Sequence, residues 1–181
     1  MKVSLVNVRL AFPNLFEAKS FGGDEATASH GASFLFPKTH PAYKLVTEAI
    51  EAAAADKWEK KAADVLKQLR TADRTALHDG DSKKDYAGFE GNFFVAARNK
   101  SRPLVIDKDK SPLTAADGKP YAGCYVNAII DIWAQDNKFG KRINATLSGV
   151  QFAKDGEAFS GSSPASTNDF EDLSSELSDE I

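Results

Sequence analysis

The sequence has few of the residues that most catalytic and metal-binding sites require. Its single cysteine, Cys124, excludes an internal disulfide and a thiolate zinc cluster. The histidines, His30, His40 and His78, are isolated and lack the HExxH spacing of a zinc enzyme. No glycine-rich phosphate loop is followed by Lys-Ser or Lys-Thr. We therefore predict no metal, no cofactor and no enzymatic activity, and we interpret Cys124 as a small buried apolar residue.

Long apolar runs are also missing. No stretch approaches the length needed to cross a bilayer. The first residues, Met1 to Leu10, alternate polar and apolar side chains instead of forming the continuous apolar segment of a signal peptide. With only one cysteine, the sequence predicts a protein of the cytoplasm that does not bind membranes.

Positive charge is absent from the C-terminal part of the chain. All 23 Lys and Arg residues lie at or before Lys154, together with 18 of the 26 acids, so this body carries a formal charge of about +5. The eight remaining acids lie from Asp155 onward. A basic body joined to an acidic tail indicates a domain that binds a polyanion and a separate interaction segment.

Short alternating segments predict a mainly β domain. The predicted strands are Lys2–Phe12, ending at Pro13-Asn14, then Ala32–Phe36, Asn92–Arg98, Pro103–Ile106, a β-rich run over Tyr121–Gln135, and Lys141–Phe152 after a turn at Asp136–Gly140. A flexible loop is expected at Ser20–Asp24 and a longer one over Asp73–Gly91. Such spacing is typical of a closed antiparallel barrel.

One region has a helical period. Apolar residues recur at helical spacing from Leu45 to Ala53 and again from Trp58 to Leu69, after Pro41 at the first helical position. We expect one long amphipathic helix, or two with a break near Asp56. Beyond Gly161 the low-complexity Ser- and Gly-rich sequence predicts disorder.

Alternation on the strands predicts an outer face that mixes aromatic, polar and basic side chains. Tyr125 and Trp133 share the face opposite the all-apolar set Val126, Ala128, Ile130 and Ile132. The same reasoning assigns two further outer faces: Asn92, Phe94, Ala96 and Arg98; and Arg142, Asn144, Thr146 and Ser148. Aromatic rings on which bases stack, beside cations that follow the phosphates, suit single-stranded nucleic acid. Alternatively, some of these rings cover the helix.

The acids between Asp79 and Glu90 have a spacing similar to that of a calcium loop. However, Lys83 occupies a ligand position, and Lys84 stands where the sharp turn requires glycine. A solvated turn before a strand is therefore the better interpretation.

Five segments, taken in order, resemble a family of bacteriophage single-stranded DNA-binding proteins. They are Leu35–Lys38, Asp79–Asp81, Arg102–Asp107, Tyr121–Val126, and Gly149–Phe152 with Asp155–Glu157. The resemblance spans roughly Met1 to Phe159. It implies an OB fold, a five-stranded antiparallel barrel with a helical insertion, over residues 1–159 and a disordered acidic tail over residues 160–181.

The resemblance also implies sequence-independent binding of single-stranded DNA in phage replication, recombination or repair, inside the bacterial host. The expected contacts to the DNA backbone are Lys38, Arg98, Lys100, Arg102, Lys138, Lys141 and Arg142. The expected stacking residues are Phe12, Tyr121, Tyr125, Trp133 and Phe139.

Acidic tails in such proteins recruit replication or recombination enzymes and compete with DNA for the binding groove. The corresponding residues here are Asp169, Phe170, Glu171, Asp172, Glu176, Asp179, Glu180 and Ile181. Many tails of this kind end in Phe, whereas this one ends in Ile181. The sequence is compatible with a homo-oligomer but does not determine the oligomeric state.

Three alternatives remain open at this point. The first is an RNA-binding or adaptor OB domain. The second is a metal-dependent nuclease that uses the acids from Asp79 to Glu90. The third is a structural phage protein whose acidic tail docks a partner and which has no affinity for nucleic acid.

Overall fold

The computed structural model describes residues 1–20, 27–159 and 170–174. Within these residues the chain forms β1 (Lys2–Lys19), β2 (Ser29–Pro37), α1 (Ala42–Trp58), α2 (Ala62–Thr71), β3 (Leu77–Asp79), β4 (Asn92–Asn99), β5 (Leu104–Ile106), β6 (Tyr125–Asn137) and β7 (Gly140–Lys154). Apart from residues 170–174, the segment predicted to be disordered from Gly161 lies outside these ranges, and so does nearly all of the loop predicted at Ser20–Asp24.

Five strands form a closed barrel, which confirms the predicted fold class. The strands pair antiparallel in the order β4-β2-β1-β6-β7. The barrel closes where β7 pairs with β4 in parallel, through Arg98 and Thr146. At this seam the Asn99 side-chain amide donates a hydrogen bond of 2.9 Å to the carbonyl of Leu147. β3 lies outside β4, and β5 lies outside β7.

The core follows the period-two alternation of the strands. The inward residues of β6 are Val126, Ala128, Ile130 and Ile132, and all four are buried as predicted. Ile143, Ala145 and Leu147 of β7 are also buried. Burying each large aliphatic side chain contributes about 1.5–3 kcal/mol, so this alternation determines which face of each strand is left to solvent.

The two helices cross the barrel between β2 and β3. α1 packs its buried face, which includes Val46 and Ile50, against β1 and β6. Of the two predicted arrangements, the structure has two helices, and the break expected near Asp56 lies three residues later at Glu59, with φ +49°. The Trp58 indole donates a hydrogen bond of 2.9 Å to Asp136, which joins the end of α1 to the β6–β7 hairpin. No helix in the described ranges is long and apolar enough to span a membrane.

Several predicted boundaries were wrong. β1 does not stop at Pro13-Asn14, because a bulge between Ala11 and Asn14 absorbs the proline and pairing with β2 resumes. β3 lies in the segment predicted as loop. β6 begins at Tyr125 instead of Tyr121, because a left-handed turn at Gly123 precedes it. The turn at Asp136–Gly140 is confirmed, with Lys138 and Phe139 between the paired ends of the strands.

Candidate nucleic-acid interface

A groove crosses the outer face of the barrel above the seam between β4 and β7. Its volume is about 540 Å³, and we name it the arginine groove. The residues that line it are Arg74, Thr75, Ala76, His78, Ala96, Arg98, Trp133, Gln135, Phe139, Arg142, Ile143, Asn144, Ala145 and Thr146. No aspartate or glutamate is among the described residues that line the groove, and three arginines supply its positive charge. Asp73 lies just outside this lining, with Oδ1 2.7 Å from Nδ1 of His78.

Trp133 provides an aromatic face in this groove. Its outward position on β6 follows from the alternation, and 42% of its surface is exposed. The indole nitrogen donates a hydrogen bond of 3.0 Å to the hydroxyl of Thr146 on β7. This bond fixes the ring before any ligand arrives, which lowers the conformational entropy that binding would cost.

The β6–β7 hairpin brings two more predicted residues to the groove. Phe139 lies at the tip and is 75% exposed. Arg142 lies on the outer face of β7, and Gly140, with φ +101°, allows the tight turn between them. The Asn137 side chain accepts a hydrogen bond of 2.9 Å from the Phe139 backbone nitrogen, which helps to hold the tip.

Arg74 and His78 also line the groove, and the sequence analysis did not identify them. Arg74 Nε donates a hydrogen bond of 3.0 Å to the carbonyl of Lys141, and the Arg74 carbonyl accepts one from the Ile143 backbone nitrogen. The segment between α2 and β3 is thereby fastened along β7. The only sequence signal was the short alternation before Asp79, which is too brief to separate a strand from a loop.

Four other predicted basic residues are not among those that line the groove. Lys138 and Lys141 flank Phe139 at the hairpin, and Lys138 Nζ lies 5.1 Å from the Phe139 ring centre. Lys100 and Arg102 are exposed in the connection that leaves β4. The Arg102 guanidinium lies 5.4 Å from the ring centre of Phe16 on β1.

Phe12 lies in a second cleft, of about 380 Å³, that Arg98 also lines. The ring is 53% exposed. Phe94, which was expected on the outer surface near it, is instead buried against Phe89 and Leu35. The segment between β3 and β4 folds over that part of β4 and covers the ring.

Tyr121 and Tyr125 lie apart from the arginine groove. The Tyr121 hydroxyl donates a hydrogen bond of 2.7 Å to Asp155, and its ring packs against the core. Burial and this hydrogen bond raise the pKa of Tyr121 above its ordinary value. Tyr125 lies beside Lys154, whose Nζ is 4.7 Å from the ring centre.

The Lys38 ammonium forms ion pairs with two carboxylates. Its Nζ lies 3.1 Å from Asp81 Oδ2 and 3.5 Å from Asp79 Oδ1. The hydrogen bond with Asp81 is the main cause that raises the pKa of Lys38. Asp81 also accepts a hydrogen bond of 2.8 Å from the Gly91 backbone nitrogen. These interactions hold the β3–β4 loop in place. Both carboxylates remain partly exposed, in agreement with the predicted solvated turn.

Two further observations concern reactive groups. In the part of the chain that the structure describes, no three His, Cys, Asp or Glu side chains are arranged to hold a metal ion. Cys124 is buried as expected, and this burial raises the pKa of its thiol to about 11. The thiol is therefore protonated at neutral pH and is a poor nucleophile.

Part of the predicted tail site is described. Phe170, Glu171 and Asp172 are exposed, and Phe170 makes no ring contact among the described residues. The other predicted tail residues, Asp169, Glu176, Asp179, Glu180 and Ile181, lie outside the described residues.

A five-stranded barrel with aromatic and basic residues on its outer face defines an OB-type protein, a class that binds oligonucleotides and oligosaccharides. Comparison with known proteins gives the family. The family described as "Enterobacter phage Enc34, ssDNA-binding protein" matches residues 1–181, and the chain belongs to it. This family is named for binding and not for catalysis, which confirms the expected class and the resemblance.

Individual proteins are similar to this chain over most of its length. The chain is 45% identical to "Putative protein p50" of Acyrthosiphon pisum secondary endosymbiont phage 1, over 100% of this chain and 98% of that protein. The single-stranded DNA-binding protein from bacteriophage Enc34, solved in complex with ssDNA, has 30% identity and a TM-score of 0.73, covering 87% and 89% of the two chains. Its C-terminal truncation gives a TM-score of 0.74 at 30% identity, covering 87% and 88%.

Proposed function

We propose that this protein binds single-stranded DNA without sequence preference and that the arginine groove is its main binding site. Phosphates would lie along Arg74, Arg98 and Arg142, while bases stack on Trp133 and Phe139. Stacking accepts every base, because each base has a π-face, so this arrangement needs no hydrogen-bond code.

The observation that carries the proposal is that, among the residues described by the structure, no carboxylate lines the arginine groove. A polyanion gains from three arginines there, and the neighbouring carboxylate of Asp73 lies 2.7 Å from His78 Nδ1. The two ring systems stand on a paired hairpin instead of a free loop, so their spacing is set before binding. The family membership and the ssDNA complex of the Enc34 protein support the same ligand.

The test is fluorescence anisotropy of a labelled oligo(dT), titrated with protein at several salt concentrations and with duplex DNA as competitor. We expect tight binding that duplex DNA does not displace. Affinity should fall with salt at a log–log slope of about −0.7 for each phosphate neutralised. No binding even after removal of the acidic tail would refute the proposal and favour the adaptor or structural alternatives.

A matched RNA oligonucleotide decides between DNA and RNA. The groove offers the Asn144 and Gln135 side chains, but these hydrogen-bond to each other at 2.9 Å. These two amides therefore satisfy each other and are not held ready to read a 2′-hydroxyl. We expect DNA to bind at least as tightly as RNA, and a strong preference for RNA would support the RNA-binding alternative.

We further propose that residues 160–181 are a separate acidic segment that recruits replication or recombination proteins in the host cytoplasm and competes with DNA. The support is its charge: it carries six acids and no Lys or Arg, whereas the body is basic. Exposed Phe170 and Leu173 would give such a segment apolar contacts.

Deleting Asp169 to Ile181 should tighten DNA binding at low salt, because an intramolecular polyanion no longer competes. The matched control keeps the chain length and replaces the tail acids with their amides. Equal affinity of full-length and truncated protein at low salt would refute the competitive role. Loss of capture of the phage's own replication proteins by the truncated chain would support the recruiting role.

A further inference from the structure

The arginine groove does not end at Arg98. Ala96 and Arg98 line both this groove and the second cleft, and Phe12 lines both the second cleft and a third. The third cleft has a volume of about 410 Å³ and is formed mainly by Pro13, Tyr86, Phe89 and Phe159. The three clefts are therefore one continuous path over the outer face of β7, β4, β2 and β1.

The charge of its lining residues distinguishes this path from the cleft beside α1. No carboxylate is among the described residues that line the three clefts. Lys19 and Arg98 line the second cleft, and the Arg9 guanidinium lies 4.3 Å from the ring centre of Phe159 at the third. The cleft beside α1 also shares Thr75 and His78 with the arginine groove, but unlike the three clefts of the path its lining includes the acids Glu51, Asp73 and Asp79.

The far end of the path has the aromatic exposure of a stacking surface. Phe12 is 53% exposed and Tyr86 is 52% exposed. Their rings meet edge to face, with centres 5.2 Å apart and planes at 87°, and both contact the buried ring of Phe89. An edge-to-face pair leaves ring faces open to a third ring, while the buried ring beneath holds the pair in place.

The backbone at Phe12, which carries one of these exposed rings, has a strained conformation. Its φ is +48°, in the left-handed region that bulky residues avoid, and it lies in the bulge between Ala11 and Asn14. Such strain costs on the order of 1–3 kcal/mol and is concentrated at functional sites. Bulges also redirect side chains beside binding sites. The bulge here turns the ring toward the second and third clefts.

We propose that a second stacking station, formed by Phe12 and Tyr86, binds bases of the same DNA strand after it has crossed β4 at Arg98. The inference rests on the proposed function of the arginine groove and extends it. Short oligonucleotides occupy the groove alone, and only longer ones reach the second station. The third cleft is lined by apolar and aromatic side chains, so it accepts a base through stacking and van der Waals contacts and adds no sequence preference.

The test measures affinity for oligo(dT) of increasing length with Tyr86→Ala and Phe12→Ala. Tyr86→Phe keeps the ring and should bind as the unmodified protein does. Tyr43→Ala is the matched control, because Tyr43 is 41% exposed and also contacts a phenylalanine ring, Phe93, but lies in the cleft lined by acids. Thermal melting of each variant verifies that the fold is kept.

We expect Tyr86→Ala to weaken binding of long oligonucleotides by about tenfold or more, the usual effect of one lost stacking ring, and to leave short ones unchanged. Trp133→Ala should weaken both. Unchanged affinity of Tyr86→Ala at every length, with Trp133→Ala still defective, would overturn the second station and leave the proposed function intact. An equal loss at all lengths would also overturn it. Failure of the unmodified protein to bind any length would refute the proposed function itself.

Discussion

The arginine groove and a cleft near the end of β7 both place an aromatic ring beside cations, yet their charges differ. The cleft near the end of β7, which we name the Asp107 cleft, is lined by Asp107, Lys108, Asp109, Lys119, Phe152 and Asp155. Lys119 Nζ lies 4.9 Å from the Phe152 ring centre but 3.0 Å from Asp107 Oδ2. The hydrogen bond with Asp107 raises the pKa of Lys119, so its charge is retained but neutralised by its partner.

The comparison shows that a basic residue beside an aromatic ring does not by itself make a nucleic-acid site. A phosphate approaching Lys119 meets three carboxylates in the same cleft, whereas one approaching Arg142 meets none among the lining residues. At distances below the Debye length, about 8 Å at physiological ionic strength, salt screens these neighbours only in part. They therefore decide whether the cation is available to a polyanion.

Trp133→Ala should have the largest effect. We expect the affinity for oligo(dT) to fall by about 1–3 kcal/mol, the usual contribution of one stacked base, since the ring and its fixed orientation are both lost. Anisotropy titrations measure this, and Trp133→Phe should recover part of the loss. Unchanged affinity would show that the groove does not stack bases.

Asn144→Asp should convert the arginine groove toward the charge pattern of the Asp107 cleft. We expect a several-fold loss of affinity at low salt that shrinks as salt screens the new charge, since Asn144 lines the groove in which we propose that the phosphates lie. Ser148→Asp is the matched control, because it adds the same charge to an exposed position of β7 outside the groove. Similar losses in both variants would mean that only net charge matters.

Arg142→Ala and Lys119→Ala remove one positive charge each from the two clefts. Arg142→Ala should weaken binding and reduce the log–log salt slope by about 0.7, the value for one phosphate contact on a single strand. Lys119→Ala should leave the affinity and the salt slope unchanged, because the Lys119 charge is neutralised by its ion pair with Asp107. Salt titrations of both variants measure the difference, and equal slopes would remove the distinction between the two clefts.

The smallest effect concerns stability and pH. The Gly91 backbone N–H, and then Lys38, lower the pKa of Asp81 from 3.8. A lowered folded pKa means that ionised Asp81 stabilises the fold above 3.8 and that this contribution is lost as pH falls through the folded value. Asp81→Asn should therefore melt below the unmodified protein at neutral pH, with the difference closing in acid and DNA affinity unchanged. A difference that is constant with pH would exclude the ionic contribution.

Much of the fold was predictable from local pattern. Alternation in β6 and β7 identified which side chains are buried, and thus the outward position of Trp133 and Arg142, because the pleat leaves two faces to choose from. It failed for Phe94, which a distant loop covers. Proline at position 13 indicated a strand end, but a bulge can absorb a proline by leaving it unpaired, and residue types alone do not reveal this.

The sequence by itself determined the barrel class, the amphipathic helices and the split between a basic body and an acidic tail, since each follows from periodicity or composition along the chain. Only the tertiary structure decided which cations share a surface with which rings. It brought Arg74 beside Trp133 and Arg142, and it paired Lys38 with Asp81 and Lys119 with Asp107. Electrostatic interaction depends on distance in space and on the charges within a few ångströms, and barrel closure sets both.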